Sequence, residues 1–385
     1  MENKKKLGLY LHIPFCEKKC AYCDFYSLTG FEDFRRYADS MMLEMEDYSA
    51  QTENYVVDTV FIGGGTPSVM PTKFLCELID AIDANFDLAR DAEISMEVNP
   101  ATVDRKKLKK LLRAGVNRLS IGLQSADDDE LRALSRIHNY DEFLDAYFDA
   151  RRVGFEDINV DLMYGIPLQT VDSLSRSIGQ VCDLEPEHIS LYGLKIEPGT
   201  PFADKADSLR LPDEDTEYLM YQTAVNELAA HGYEQYEISN FSRQGCRCEH
   251  NLRYWNGEEY LGIGPAAASY FGGMRYSNKR DIAAYMDAME TVNSGIVLRE
   301  NECEVDEHDR RNEYIMLRLR LNEGLSESEY RRKFGQSFEE TFARRLPLYL
   351  DNGFMKKTGD RYAFTTKGMF VSNAILADLV SFDRT

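Results

Sequence analysis

The chain has 385 residues, enough to bury a substantial core and, by length, to form one large domain or two ordinary ones. Hydrophobic residues make up 43% and charged residues 29%, and no segment approaches the roughly 18 consecutive apolar residues a membrane span needs. The formal net charge of -21 argues against a nucleic-acid partner, because gripping a phosphate backbone takes clustered Lys and Arg.

The opening "MENKKKLGLYLHIPF" has a basic run and a few apolar residues, but His12 and cysteines follow at once, with no long apolar stretch or cleavage site. A cytoplasmic location is expected, and with it reduced thiols, so the 8 cysteines are not read as structural disulfides. From there to about residue 240, short β-rich runs alternate with helical patterns, the signature of βα units and a parallel sheet. Strands are expected at Gly8 to Ile13, Asp58 to Ile62, Glu93 to Val98, Arg118 to Gln124, Ile158 to Tyr164 and His188 to Leu194. Between them, stretches such as "FEDFRRYADSMMLEMEDYS", "PTKFLCELIDAIDANF" and "DRKKLKKLLRAG" carry apolar residues at helical spacing. Polar and glycine-rich residues follow the strand ends: "GGGTP", "NP", "QS" and "GIP". That edge of a parallel α/β sheet is where sites are assembled.

A glycine-, alanine- and aromatic-rich stretch at 250–273, "HNLRYWNGEEYLGIGPAAASYFGG", reads as the tail of this unit. From about residue 300, helices at "DEHDRRNEYIMLRLRL", "SESEYRRKF" and "SFEETFARRLPLYLDNG", a hairpin "FMKKTGDRYAFTT" and a last helix give a small α+β module resembling a winged helix. The expected division is 1–240 for the core, 241–298 for an extension and 299–385 for the module.

Cys16, Cys20 and Cys23 stand together on the loop after the first strand. Thiolates select zinc or iron-sulfur clusters. A structural zinc site would need a fourth ligand, for which His12 or the Cys246/Cys248 pair are nearest. A [4Fe-4S] cluster is ordinarily held by four cysteines, so three leave one iron free to bind a substrate. "GGGTP" is a tight turn that lets a ligand approach the backbone. Glu97, Gln124 and Asp161 are polar residues in otherwise apolar strands, which need partners that a ligand can supply. Arg136 can pair with a carboxylate through two N–H groups.

The C-x3-C-x2-C run on the loop after the first strand of a (β/α)6 unit resembles the radical S-adenosylmethionine (SAM) superfamily. In order, "YLHIPFCEKKCAYCDF", "FIGGGTPS", "EVNP", "RLSIGLQS", "DLMYGIPLQT" and "HNLRYW" are similar to the oxygen-independent coproporphyrinogen III oxidase family. The resemblance implies a partial (β/α)6 barrel with a small C-terminal domain. It implies a [4Fe-4S] cluster on Cys16, Cys20 and Cys23, whose open iron chelates SAM and whose electron cleaves it to a 5'-deoxyadenosyl radical. It places Tyr10, Gly64, Gly65, Thr66, Glu97, Gln124, Arg136 and Asp161 on SAM-contacting positions, with Lys195 and Ala268 matching further ones.

Within that family the dehydrogenase branch has a further Cys two residues after the third ligand, where Phe25 stands here, and a long extension where nine residues precede Tyr10. "CDF" and the HNxxYW pattern of His250, Asn251, Tyr254 and Trp255 resemble instead the HemW haem-chaperone branch. That resemblance implies haem binding, delivery to haem proteins of the respiratory chain, and a homodimer. His250 is either a haem-iron ligand or a packing residue at the barrel end, with Cys248 as an alternative thiolate.

Overall fold

The computed structural model describes residues 4–292 and 298–382. Six βα repeats come first: β1 (Lys5–Ile13), α1 (Phe34–Ser49), β2 (Tyr55–Gly64), α2 (Thr72–Asn85), β3 (Leu88–Val98), α3 (Arg105–Ala114), β4 (Arg118–Gln124), α4 (Asp128–Ala133), α5 (Tyr140–Val153), β5 (Asp157–Tyr164), α6 (Val171–Cys182), β6 (His188–Gly193) and α7 (Glu214–Ala230). Each expected strand is present, and β1 to β6 pair in parallel in sequence order. Side chains alternate across these strands. On β1, Leu7, Leu9, Leu11 and Ile13 join Tyr37, Met41 and Met45 of α1 in the apolar core, while Tyr10 faces the other side. Local signals agree with the helices: Asn139 and Glu142 form a capping box on α5, and Gly115 and Gly154 end α3 and α5 in the left-handed conformation.

The sheet then grows at both edges. After β7 (Glu234–Gln235), β8 (Asn240–Ser242) lies antiparallel to β6, and α8 (Glu249–Asn256) leads to β9 (Tyr260–Ile263), which pairs parallel to β1. β10 (Ala268–Phe271), β11 (Met274–Asn278), α9 (Ile282–Val292) and β12 (Arg299–Glu304) complete a 12-stranded sheet that curves without closing, β12 and β7 forming its two edges. Glu44 of α1 locks this extension to the core. It is fully buried and accepts from Gly264 N–H (2.8 Å), Asn278 Nδ2 (2.8 Å) and the Tyr285 hydroxyl (2.6 Å).

The C-terminal module has its own core, including Ile315, Leu319, Tyr330, Phe338, Tyr362 and Leu379. It runs α10 (Glu307–Leu319), β13 (Leu325–Ser326), α11 (Glu327–Phe334), α12 (Phe338–Thr341), α13 (Leu346–Asp351), β14 (Met355–Thr358), β15 (Arg361–Phe364), α14 (Thr366–Phe370) and α15 (Ser372–Phe382). The third expected helix is two short ones, because Pro347 can start a helix but cannot continue one. A sheet ordered β13-β15-β14 makes the wing. The module meets the barrel where Asn322 N–H donates to Tyr236 C=O (3.0 Å) and Arg318 to Asn256 (2.6 Å).

Candidate active site

The strands and the loops that follow them enclose a cavity of about 530 Å3. Its walls are the inward residues of successive strands: Tyr10 on β1, Phe61 on β2, Glu97 on β3, Arg118, Ser120, Gly122 and Gln124 on β4, Asn159 and Asp161 on β5, and Ser190 and Tyr192 on β6. Parallel barrels usually fill this space with packed apolar side chains. Here it is hollow, and most of the strand side chains that face it carry polar groups.

The three cysteines lie at one end of it. Their loop is fixed by Cys16 N–H to Leu28 C=O (2.9 Å) and Leu28 N–H to Pro14 C=O (2.6 Å). It is also stitched to the glycine turn, with Gly65 N–H donating to Ile13 C=O (2.9 Å) and Thr66 N–H to Phe15 C=O (2.7 Å). Phe15 is buried in a cluster with Phe31, Phe34 and Tyr37, which anchors the start of the loop. All three thiols are half-buried and free, and burial pushes those of Cys16 and Cys23 up. Thiolates in that setting need a cationic partner.

Gly65 sits so close to Phe15 that a Cβ would stand 2.9 Å from its backbone N and O. Gly64 N–H donates to Glu97 Oε2 (3.0 Å). That bond opposes a larger effect: removal from water, then the Asp161 charge, pushes the Glu97 carboxyl up to about 7. Gln124, at the end of β4, has φ 78° beside a register shift against β5, a strained backbone of the kind found at binding sites. Arg136 is presented by Ser135, itself at φ 62°, and donates to Gly122 C=O (2.6 Å) and toward Cys20 Sγ (3.6 Å); its buried Nε has no partner.

Asp161 is held from below. It accepts from Asn159 Nδ2 (2.7 Å) and Ser120 Oγ (3.2 Å). Because the Asn159 amide nitrogen is thus committed, its oxygen accepts from His188 Nδ1–H (2.6 Å), and His188 Nε2 accepts from the Tyr236 hydroxyl (2.8 Å). Asn159, Ser120, Ser190 and the buried His188 were not singled out from sequence. The signal available was polar residues at every second position of "RLSIGLQ", "NVDL" and "HISLY", which puts them on one face of each strand.

The structure brings Cys16, Cys20, Cys23, Tyr10, Gly64, Gly65, Thr66, Glu97, Gln124, Arg136, Asp161, Lys195 and His250 onto this one cavity. Lys195 stands at the rim, its side chain 77% exposed and paired with Glu197. Ala268 lines an adjoining cleft instead. His250 is fully buried: Nδ1 bonds Thr59 Oγ1 (3.0 Å), Nε2 bonds the Tyr254 hydroxyl (2.8 Å), and the ring stacks on Phe61. Burial holds its imidazole down at about 3, so it is neutral. Trp255 lines neither space. The fourth ligands considered for zinc are not brought to the cysteines. His12 has both ring nitrogens bonded, to Tyr10 and to Tyr26 C=O, and Cys248 is buried against Glu93. Among the described residues, the sole His, Cys and carboxylate trio with ligand atoms within 4.8 Å of one another is Asp306, His308 and Asp309. At least one pair of the three cysteine sulfurs is therefore more than 4.8 Å apart, beyond the ~3.8 Å spacing that a single ion with 2.3 Å Zn–S bonds demands.

Comparison with known proteins agrees with this chemistry. Residues 10–180 match the radical SAM superfamily and residues 305–371 the HemN C-terminal domain. The chain is 36% identical to the heme chaperone HemW of Bacillus subtilis, over 95% of this chain and 97% of that one. The chain belongs to the HemW family of radical SAM proteins. HemW of Escherichia coli is 34% identical over 96% of this chain and 97% of its own. Among solved structures, coproporphyrinogen III oxidase (HemN) from Escherichia coli, a radical SAM enzyme, superposes with a TM-score of 0.86 over 98% of this chain and 91% of that one, at 24% identity. That likeness establishes the fold. In the radical SAM superfamily a [4Fe-4S] cluster supplies the electron that cleaves SAM, and the residues here fit both groups: three free thiols on one loop, a backbone turn with no room for a Cβ, and an unpartnered buried arginine nitrogen. Among the described residues no helix is long and apolar enough to cross a membrane.

Proposed function

We propose that this chain is a haem chaperone, which binds haem and passes it to haem proteins, with its cluster and SAM in a supporting role. Its full-length kinship with proteins named heme chaperone carries the reading. Phe25 supports it. Where the porphyrinogen-oxidising branch has a further cysteine, this chain places an aromatic ring 62% exposed at the cavity mouth, a surface suited to a flat apolar ligand.

In this reading Cys16, Cys20 and Cys23 hold the cluster. The Gly64–Thr66 turn, Tyr10, Glu97, Gln124, Arg136 and Asp161 hold SAM, with Lys195 and Ala268 at its margins. Arg136 and the turn fix its polar groups, and the Asn159–His188–Tyr236 chain keeps Asp161 aimed into the cavity. His250, with both nitrogens occupied, holds Tyr254 in place rather than reaching iron. The acceptors are haem proteins of the respiratory chain, and the protein works in the cytoplasm as a homodimer.

The test is anaerobic reconstitution with iron and sulfide followed by two assays. Haemin titration should show stoichiometric uptake by a shifted Soret band. Coproporphyrinogen III with SAM and a reductant should give no decarboxylated product; turnover would replace the chaperone reading with that of a porphyrinogen oxidase.

A further inference from the structure

Beside the main cavity lies an open cleft of about 370 Å3, bordering it through Tyr10, Asp24, Phe25, Gly64, Glu97 and Tyr254. One wall is aromatic. Tyr26 is fixed twice over, its hydroxyl accepting from Ile282 N–H (2.9 Å) and its carbonyl from His12 Nε2 (3.0 Å), and its ring stacks on His12. Tyr260 meets Tyr254 edge-on at 4.6 Å between ring centres, and Phe25 stands exposed at the lip.

The same cleft holds Arg280, over the Tyr26 ring at 5.9 Å. Its guanidinium donates to the Asp24 carbonyl (3.2 Å), and among the described residues it is in no ion pair with a carboxylate. In a chain of net charge -21, where the general field repels anions, a guanidinium without a paired carboxylate beside aromatic faces offers an anionic group a local partner. The carboxylates that share the cleft are Asp24 at its lip and Glu97 at its border with the main cavity.

Haem combines the two chemistries this cleft offers: a flat apolar macrocycle, and two carboxylates along one edge. We propose that haem docks in this cleft, its macrocycle against Phe25, Tyr26 and Tyr260 and one propionate on Arg280. The proposal rests on the haem-chaperone reading and deepens it by placing the haem against Tyr10, Gly64, Glu97 and Ala268, the SAM-holding residues that line this cleft too. A cleft open to solvent also leaves the far edge of the ligand free for an acceptor to take.

Haemin and haemin dimethyl ester, whose propionates are capped, are titrated into the reconstituted full chain, and iron and sulfide content verify that each variant keeps its cluster. A charge-assisted hydrogen bond is worth ~1.5–3 kcal/mol, so wild type should bind haemin about tenfold or more tighter than the diester. Arg280→Glu should lose that advantage, binding haemin no tighter than wild type binds the diester, and Arg280→Lys should recover most of it. Equal affinity of wild type for haemin and diester overturns the site without any variant, as does Arg280→Glu binding haemin like wild type; either leaves the chaperone reading intact. A wild type that takes up neither ligand overturns that reading and this site with it.

Discussion

Gly64 offers a quantitative check on how tightly the site is built. Its backbone is at φ 116°, and an added Cβ would stand 2.6 Å from His12 Cε1 and Nδ1. That ring cannot move aside cheaply, since it is buried, bonded at 3.0 Å to both the Tyr10 hydroxyl and Tyr26 C=O, and stacked on Tyr26. Positive φ costs an L-residue ~1–2 kcal/mol, and overfilling a packed interior ~1–3 kcal/mol, so Gly64→Ala should lose about 2–5 kcal/mol. Gly30 has φ 72° with nothing within 4 Å of where a methyl group would stand, so Gly30→Ala carries the conformational cost alone, about 1–2 kcal/mol. Guanidinium chloride unfolding followed by circular dichroism compares the two. If Gly64→Ala unfolds within about 0.5 kcal/mol of Gly30→Ala, the contact with His12 is not the constraint it is taken to be.

Three further outcomes are expected. Glu44→Ala strips three buried donors of their acceptor, each costing ~1–3 kcal/mol, and should destabilise the protein by about 3 kcal/mol or more in the same unfolding assay; a loss under about 1 kcal/mol would show that water replaces the carboxylate. Glu97 keeps its proton in the folded state up to about 7 but ionises near the ordinary 4.5 when unfolded, so the folded state binds more protons and wild-type stability falls as pH rises through that window. Glu97→Gln, with nothing to titrate there, should show a shallower fall, and identical slopes would contradict the raised carboxyl. His250→Gln should lower stability while leaving haemin affinity within about twofold, as expected when a change leaves the ligand's own contacts intact; a folded variant that no longer shifts the Soret band would make His250 the iron ligand.

The parallel strands were readable because each is a short apolar, β-rich run ending in glycine or polar residues, and the cysteine spacing announced the loop chemistry. What escaped the sequence has particular causes. α7 buries Met220, Tyr221, Ala224 and Leu228 but leaves Leu219 49% exposed, so its apolar residues do not form one clean stripe. β9 has four residues inside a stretch of glycine and alanine, and its parallel pairing with β1 depends on a partner about 250 positions away. The split between α12 and α13 was marked by Pro347, whose ability to start a helix outweighed the apolar pattern around it. At the site, the residues named by motif converge, yet the strain at Gln124 and the hydrogen-bond chain from Asp161 to Tyr236 arise from tertiary packing that no local pattern encodes.

Transfer of haem tests the function most directly. The reconstituted protein is loaded with one equivalent of haemin, freed of excess by gel filtration, and mixed with apomyoglobin as a neutral acceptor. A chaperone should lose its own Soret signature as the acceptor gains the spectrum of the haem-bound form, with cluster iron retained throughout. Haem that stays with the chain, or leaves only when the protein unfolds, would contradict a delivery role.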